Sequence, residues 1–253
     1  MKEKFLKNSN LPQGKVTKVF ANIDDIALEN VFNNLAIKVV NATQNELLDA
    51  PISLHADVLA NYVGNDTFLA DYRQQELFDF VESAGGEVKK INNIQSPYPN
   101  ECLLNFADIG DYIICNKSIL TQEIIETLPD KQIIDVKQGY SKCSVCIAKR
   151  NTIITDDSSI FKAASQYKDI KLLYIEKGSI QIEKYYYGFI GGCCGLIDED
   201  LLLFNGDLLK HSDFDKIKKF LYDNGVRYID IKGKPLTDIG SIIPIMEKRW
   251  CLE

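Results

Sequence analysis

Five segments of this chain read alike, and that recurrence restricts the fold more tightly than composition does. In each, a strand-like run leads into a helical stretch and then a second strand, about every 40–50 residues, a period that signals an array of repeats. The second strands are Ala36-Ile37-Lys38-Val39-Val40, Glu87-Val88-Lys89-Lys90-Ile91, Gln132-Ile133-Ile134-Asp135-Val136, Lys171-Leu172-Leu173-Tyr174-Ile175 and Arg227-Tyr228-Ile229-Asp230-Ile231. Four of them are entered from turn-like segments: Gly85-Gly86, Pro129-Asp130, Lys168-Asp169 and Asn224-Gly225. If five such units close into a ring, equivalent positions converge on one axis, and residues far apart in sequence become neighbours.

The pattern predicts a polar tail over 1–14 and a single domain over 15–253. Unit one opens with a strand over Lys15–Ala21 and a helix over Asp24–Asn34, with Asp24 or Asp25 as N-cap. In units two and three the stretches 54–66 and 104–116 align without a gap. Each reads as two short strands around a tight turn, at Ala60-Asn61 and Gly110-Asp111, followed by helices over about 67–84 and 121–128. Unit four gives a strand over Cys143–Ala148, a turn at Arg150-Asn151, a return strand over 152–156, and Ser158 or Ser159 as helix cap. Unit five gives Cys193–Ile197, a turn at 198–200, Leu201–Asn205, and a helix over Phe214–Asp223 that stops at Asn224-Gly225. The stretch Thr237–Ile245 reads as one further opening strand, free to pair with the N-terminal strand and leave no exposed edge. The fold class expected is α/β (α+β), with five β-β-α-β repeats.

Composition bounds the function. Hydrophobic residues at 45% and charged residues at 26% are ordinary globular values. A formal net charge of −7 argues against general nucleic-acid binding, which needs a basic face to replace counterions. No stretch reads as a signal peptide or approaches the length of a membrane span. The seven cysteines are therefore expected to be reduced thiols of a cytoplasmic protein.

On these repeats the chain resembles the pentein superfamily over residues 15–250. These are the five-bladed, pseudo-symmetric β/α propellers of the guanidino-group-modifying enzymes: arginine and agmatine deiminases, dimethylarginine dimethylaminohydrolase and the amidinotransferases. The superfamily also includes a non-catalytic ribosome anti-association factor. The resemblance implies a cysteine nucleophile, a His-x-Asp motif and further carboxylates at the central axis, with no metal or cofactor. It implies a small-molecule partner such as a guanidino compound, attacked at its central carbon and released to water or an amine. Thiolate is a strong nucleophile, histidine exchanges protons near neutrality, and carboxylates pair with planar guanidinium through two parallel hydrogen bonds.

His55-Ala56-Asp57 matches the histidine motif, and strand alternation would put residues 55 and 57 on one face. Counting back from Asn205 as from Asp66 puts Cys194 at the place of His55 and Asn105; the same count in unit four lands between Ser144 and Cys146. His55, Asp57 and Cys194 are thus the expected catalytic set, with Asn105, Cys146, Cys193, Asp207, Asp238 and Ser241 around the axis. The glycines of Gly188-Phe189-Ile190-Gly191-Gly192-Cys193-Cys194-Gly195 permit close backbone approach. Cys143-Ser144-Val145-Cys146 is a CxxC in a predicted strand, without the partner pair a zinc site needs, and His211 reads as a surface-loop residue. In the deiminases the nucleophile lies in a Gly-rich strand near the C-terminus; here Thr237–Pro244 has no cysteine and Cys251 follows later. The nucleophile is then Cys194 or Cys146, or the ring is a non-catalytic module that binds a ligand or protein.

Overall fold

A computed structural model describes residues 2–249. Among these residues the strands form five separate small sheets. Strand β1 (Lys2–Phe5) precedes unit one, which contains β2 (Lys15–Ala21), α1 (Ile26–Leu35) and β3 (Lys38–Asn41). Unit two is α2 (Ala56–Leu59), β4 (Ala60–Gly64), β5 (Thr67–Asp71), α3 (Gln75–Ser83) and β6 (Glu87–Ile91). Unit three is β7 (Ala107–Asp108), β8 (Tyr112–Cys115), α4 (Gln122–Thr127) and β9 (Gln132–Asp135). Unit four is β10 (Val145–Lys149), β11 (Thr152–Thr155), α5 (Ser158–Ala164) and β12 (Lys171–Tyr174). Unit five is β13 (Cys194–Asp198), β14 (Leu201–Phe204), α6 (Phe214–Asp223) and β15 (Arg227–Asp230), and β16 (Ile243–Arg249) ends the described chain.

Every sheet is wired alike. An opening strand runs antiparallel to the middle strand, and the strand after the helix runs parallel to it. Unit one takes its opening strand from the far end of the chain: β16 pairs antiparallel with β2, which pairs parallel with β3. The two ends of the chain thus share one sheet, as the sequence suggests, although the strand begins at Ile243 rather than Thr237. Residues 2–14 are not a free tail, since β1 adds antiparallel to β16, and Leu6 and Leu11 are buried.

Middle strands such as Thr152–Thr155 are covered on both faces, which is why they read as continuous apolar runs. The third strands are partly exposed along most of their length. Asp25 caps α1 by accepting from the Leu28 amide at 2.9 Å. Asp157, not Ser158 or Ser159, caps α5, because its carboxylate reaches both the Ser159 and Ile160 amides. Units two and three are joined by the Asn61 amide, which donates to the Leu104 and Phe106 carbonyls at 2.8 Å each.

Unit two departs most from its expected layout. Its turn is at Asn65-Asp66, the stretch 67–71 is the middle strand, and the helix begins only at Gln75. The four residues of α2 stand where the opening strand was expected, so the gapless alignment of 54–66 with 104–116 is out of register. Aligned on the first residues of the middle strands, Ala60, Asn105, Val145 and Cys194 are equivalent, and His55 precedes that position. Among the described residues no helix is long and apolar enough to cross a membrane.

Candidate active site

His55 and Asp57 do not alternate along a strand. His55 is the extended residue that enters α2, its carbonyl accepting from the Val58 and Leu59 amides at 3.0 and 3.1 Å. The Asp57 amide donates to the Gly240 carbonyl at 2.9 Å, which docks this turn on the segment before β16. Gly240 has φ +76°, and a Cβ there would lie 2.3 Å from His55 Cα, so only glycine fits the crossing.

Cys143 completes the cluster from the turn before β10. Its thiol donates to Asp57 Oδ2 at 3.0 Å, and donor atoms of His55, Asp57 and Cys143 lie within 4.8 Å of one another. The Asn105 side chain holds this arrangement from both ends. Its Nδ2 donates to Cys143 Sγ at 3.1 Å and to the Asp57 carbonyl at 3.0 Å; its Oδ1 accepts from the Lys142 and Cys143 amides at 2.8 and 3.2 Å. Ser241 Oγ touches Asp57 Oδ2 and the Gly191 carbonyl, and accepts from Lys142 Nζ at 3.0 Å. Asp238 Oδ1 is 3.7 Å from His55 Nδ1. The Asp238 carboxylate accepts from the Phe189 amide at 2.9 Å and the Gly240 amide at 3.0 Å. Gly192 passes so close to it that a Cβ would lie 2.0 Å from Oδ1.

Burial dominates the electrostatics. It pulls the His55 pKa down, with Asp57 opposing, so the ring is neutral near pH 7. It pushes the Asp238 carboxyl up to about 6, against the two backbone amides and Lys142, which favour the anion. Asp57 is raised for the same reason, with His55 and Lys142 opposing, and its Oδ1 is buried without a partner. Burial, then Asp57 and Asp238, holds the Cys143 thiol well above the ordinary range. Lys142, held at Ser241 Oγ, thus lies near two buried carboxyl groups without pairing directly with either. His55, Asp57 and Cys143 also offer one nitrogen, one oxygen and one sulfur, a donor set that fits zinc.

The cluster opens into a cavity of about 280 Å³ floored by His55, Cys143 and Asp238. Tyr140, Ile182, Tyr185, Tyr187 and Phe189 wall it, with Ile52 and Tyr186 also lining it. The loop carrying most of these rings is pinned at its base, where the Gly188 amide donates to the Ile180 carbonyl at 2.8 Å. The Asp238 amide in turn donates to the Gln181 carbonyl at 2.8 Å.

Of the residues expected at the axis, His55, Asp57, Asn105, Asp238 and Ser241 meet here. Cys194 lies apart from this cluster: its thiol donates to the Ile190 carbonyl at 3.2 Å. It borders a separate void of about 10 Å³ with Lys142 and Ile242. Cys146 and Cys193 pack in the apolar core beside it. Asp207 lies elsewhere, accepting from the Leu209 and Gly233 amides and from Lys232. His211 is buried rather than in a surface loop, its Nδ1 accepting from the Asp213 amide at 3.0 Å. Cys251 lies outside the described residues. The sequence reading missed Lys142 and assigned Cys143 to a strand. It also passed over Tyr185-Tyr186-Tyr187, whose legible signal was three aromatics in a row beside a glycine.

The architecture is that of the penteins. An amidinotransferase of the saxitoxin biosynthetic pathway from Microseira wollei superposes with a TM-score of 0.60 at 10% identity, covering 97% of this chain and 98% of its own. Inosamine-phosphate amidinotransferase from Streptomyces griseus gives 0.60 at 9% identity, covering 99% of both chains. A mutant DDAH from Pseudomonas aeruginosa, complexed with citrulline, gives 0.52 at 12% identity over 86% of this chain and 92% of its own. Comparison with curated proteins finds no match. Residues 21–243 match a family described as a family of unknown function (DUF6873), and the chain belongs to it.

Proposed function

We propose that this protein modifies an amidine or guanidine through a covalent thiol intermediate, with Cys143 rather than Cys194 as nucleophile. The observation that carries the reading is the thiol of Cys143 between Asp57 and His55 on the floor of the cavity. The amidine class is supported by the fold's neighbours, two of which are amidinotransferases.

The planar cation docks against Asp238 by charge-assisted hydrogen bonds. Its positive charge beside Sγ favours the thiolate and offsets burial and the carboxylates. The thiol proton passes to neutral His55 as the Sγ–carbon bond forms. The carbon–nitrogen bond then breaks, and the departing amine takes that proton. A water molecule gives a proton to His55 and attacks the thio-bound carbon; the Sγ–carbon bond breaks and His55 returns the proton to sulfur. An amine in place of water makes the same site a transferase. Asn105 and Ser241 position the thiol and Asp57. A second reading, a non-catalytic module that binds a cation, is favoured by the high pKa of the unliganded thiol.

The test is labelling with 2-chloroacetamidine, followed by intact mass and peptide mapping in wild type, Cys143→Ser and Cys194→Ser. One fast adduct on Cys143, lost in Cys143→Ser and kept in Cys194→Ser, is the expected result. Fast modification of Cys194 would transfer the role to that residue. Slow, uniform modification of all thiols would favour the binding module.

A further inference from the structure

The cavity walls differ chemically from its floor, and they bear on which part of a substrate they cover. Above Asp238, His55 and Cys143 the lining is aromatic and aliphatic. Phe189 packs against Tyr140 and edge-on against Tyr187, both with ring centroids 6.2 Å apart. Two of the four tyrosine hydroxyls that line the cavity are already committed. Tyr140 donates to Glu101 Oε1 at 2.9 Å, and Tyr185 donates to Asp49 Oδ2 at 3.3 Å. Glu101 is only 4% exposed, and its Oε2 is buried with no partner, so an uncompensated oxygen lies behind the Tyr140 ring.

Resting on the amidine reading above, we infer that the substrate carries its amidine or guanidine on an uncharged apolar tail, preferably aromatic, and that amino-acid guanidines are rejected. The cation belongs at the floor, where the Asp238 carboxylate is. A tail carboxylate would leave water for a lining made mostly of ring and aliphatic carbon, with the buried Glu101 carboxyl behind the Tyr140 ring. Leaving a charged group unpaired in such a place costs affinity. A tail ammonium would lose hydration against the same rings. An aromatic tail meets Phe189 and Tyr187 in the offset or edge-on geometries that such rings prefer.

The experiment is calorimetric titration of the Cys143→Ser protein with 2-phenylethylguanidine, butylguanidine, agmatine and arginine. The expected order places 2-phenylethylguanidine tightest and arginine weaker by at least about tenfold. In Tyr187→Ala the advantage of the phenylethyl over the butyl compound shrinks by about fivefold. Agmatine or arginine binding as tightly as 2-phenylethylguanidine overturns the inference and leaves the thiol chemistry standing. If none of the four binds, and Cys143 also resists chloroacetamidine, the amidine reading falls with it.

Discussion

Replacing Asp238 with asparagine isolates the electrostatic cost of the cavity floor. Asp238 is fully buried, and its carboxyl is raised from 3.8 to about 6. A carboxyl whose folded pKa lies above its unfolded value stabilises the fold most at low pH. That stability is lost as pH rises through the folded pKa, because the unfolded chain ionises more readily. The full shift of about two units corresponds to about 3 kcal/mol, of which about 2 kcal/mol falls between pH 4.5 and pH 8. Asp238→Asn also turns an N–H toward the Phe189 or Gly240 amide, a cost that does not vary with pH. The quantity to read is therefore the change with pH in the stability difference between variant and wild type. Urea denaturation from pH 4.5 to 8 measures it, and the difference is expected to move in the variant's favour by about 2 kcal/mol. A flat profile would mean that Asp238 is solvated or already neutralised by a cation, and the charge argument for the site would be refuted. A guanidinium ligand at saturation should flatten the profile in wild type.

Two further outcomes follow from the same geometry. Gly192→Ala puts a methyl where the Asp238 carboxylate stands, so it should destabilise by about 1–3 kcal/mol in urea and abolish chloroacetamidine labelling of Cys143. Asp57→Asn removes one of the negative charges that hold the Cys143 thiol neutral. Its alkylation by uncharged iodoacetamide at pH 8 should therefore speed up, whereas unchanged or slower alkylation would mean that Asp57 does not set the thiol's ionisation.

Much of the scaffold was legible because it rests on short-range chemistry. The strand Lys15–Ala21, the helix Phe214–Asp223, the turn at Arg150-Asn151 and the fivefold recurrence all come from local periodicity and turn residues. His55 and Asp57 stood out because histidine is scarce in this chain and their spacing matches a known motif. The register of unit two was not legible, since four residues of α2 replace part of a strand and nothing in Ala56–Leu59 opposes either conformation. That slip moved the expected thiol to Cys194.

Local sequence, then, determined the repeat and the residue types from which a site could be built. Which sulfur meets His55 was decided by tertiary structure alone. Counting along strands assumes that every unit reaches the centre at one register, whereas the helical turn at His55 and the bend at Cys143 bring side chains in from before their strands. Their meeting depends on the Gly240 crossing and the Asn105 bridge, contacts made between units. No window of sequence contains them.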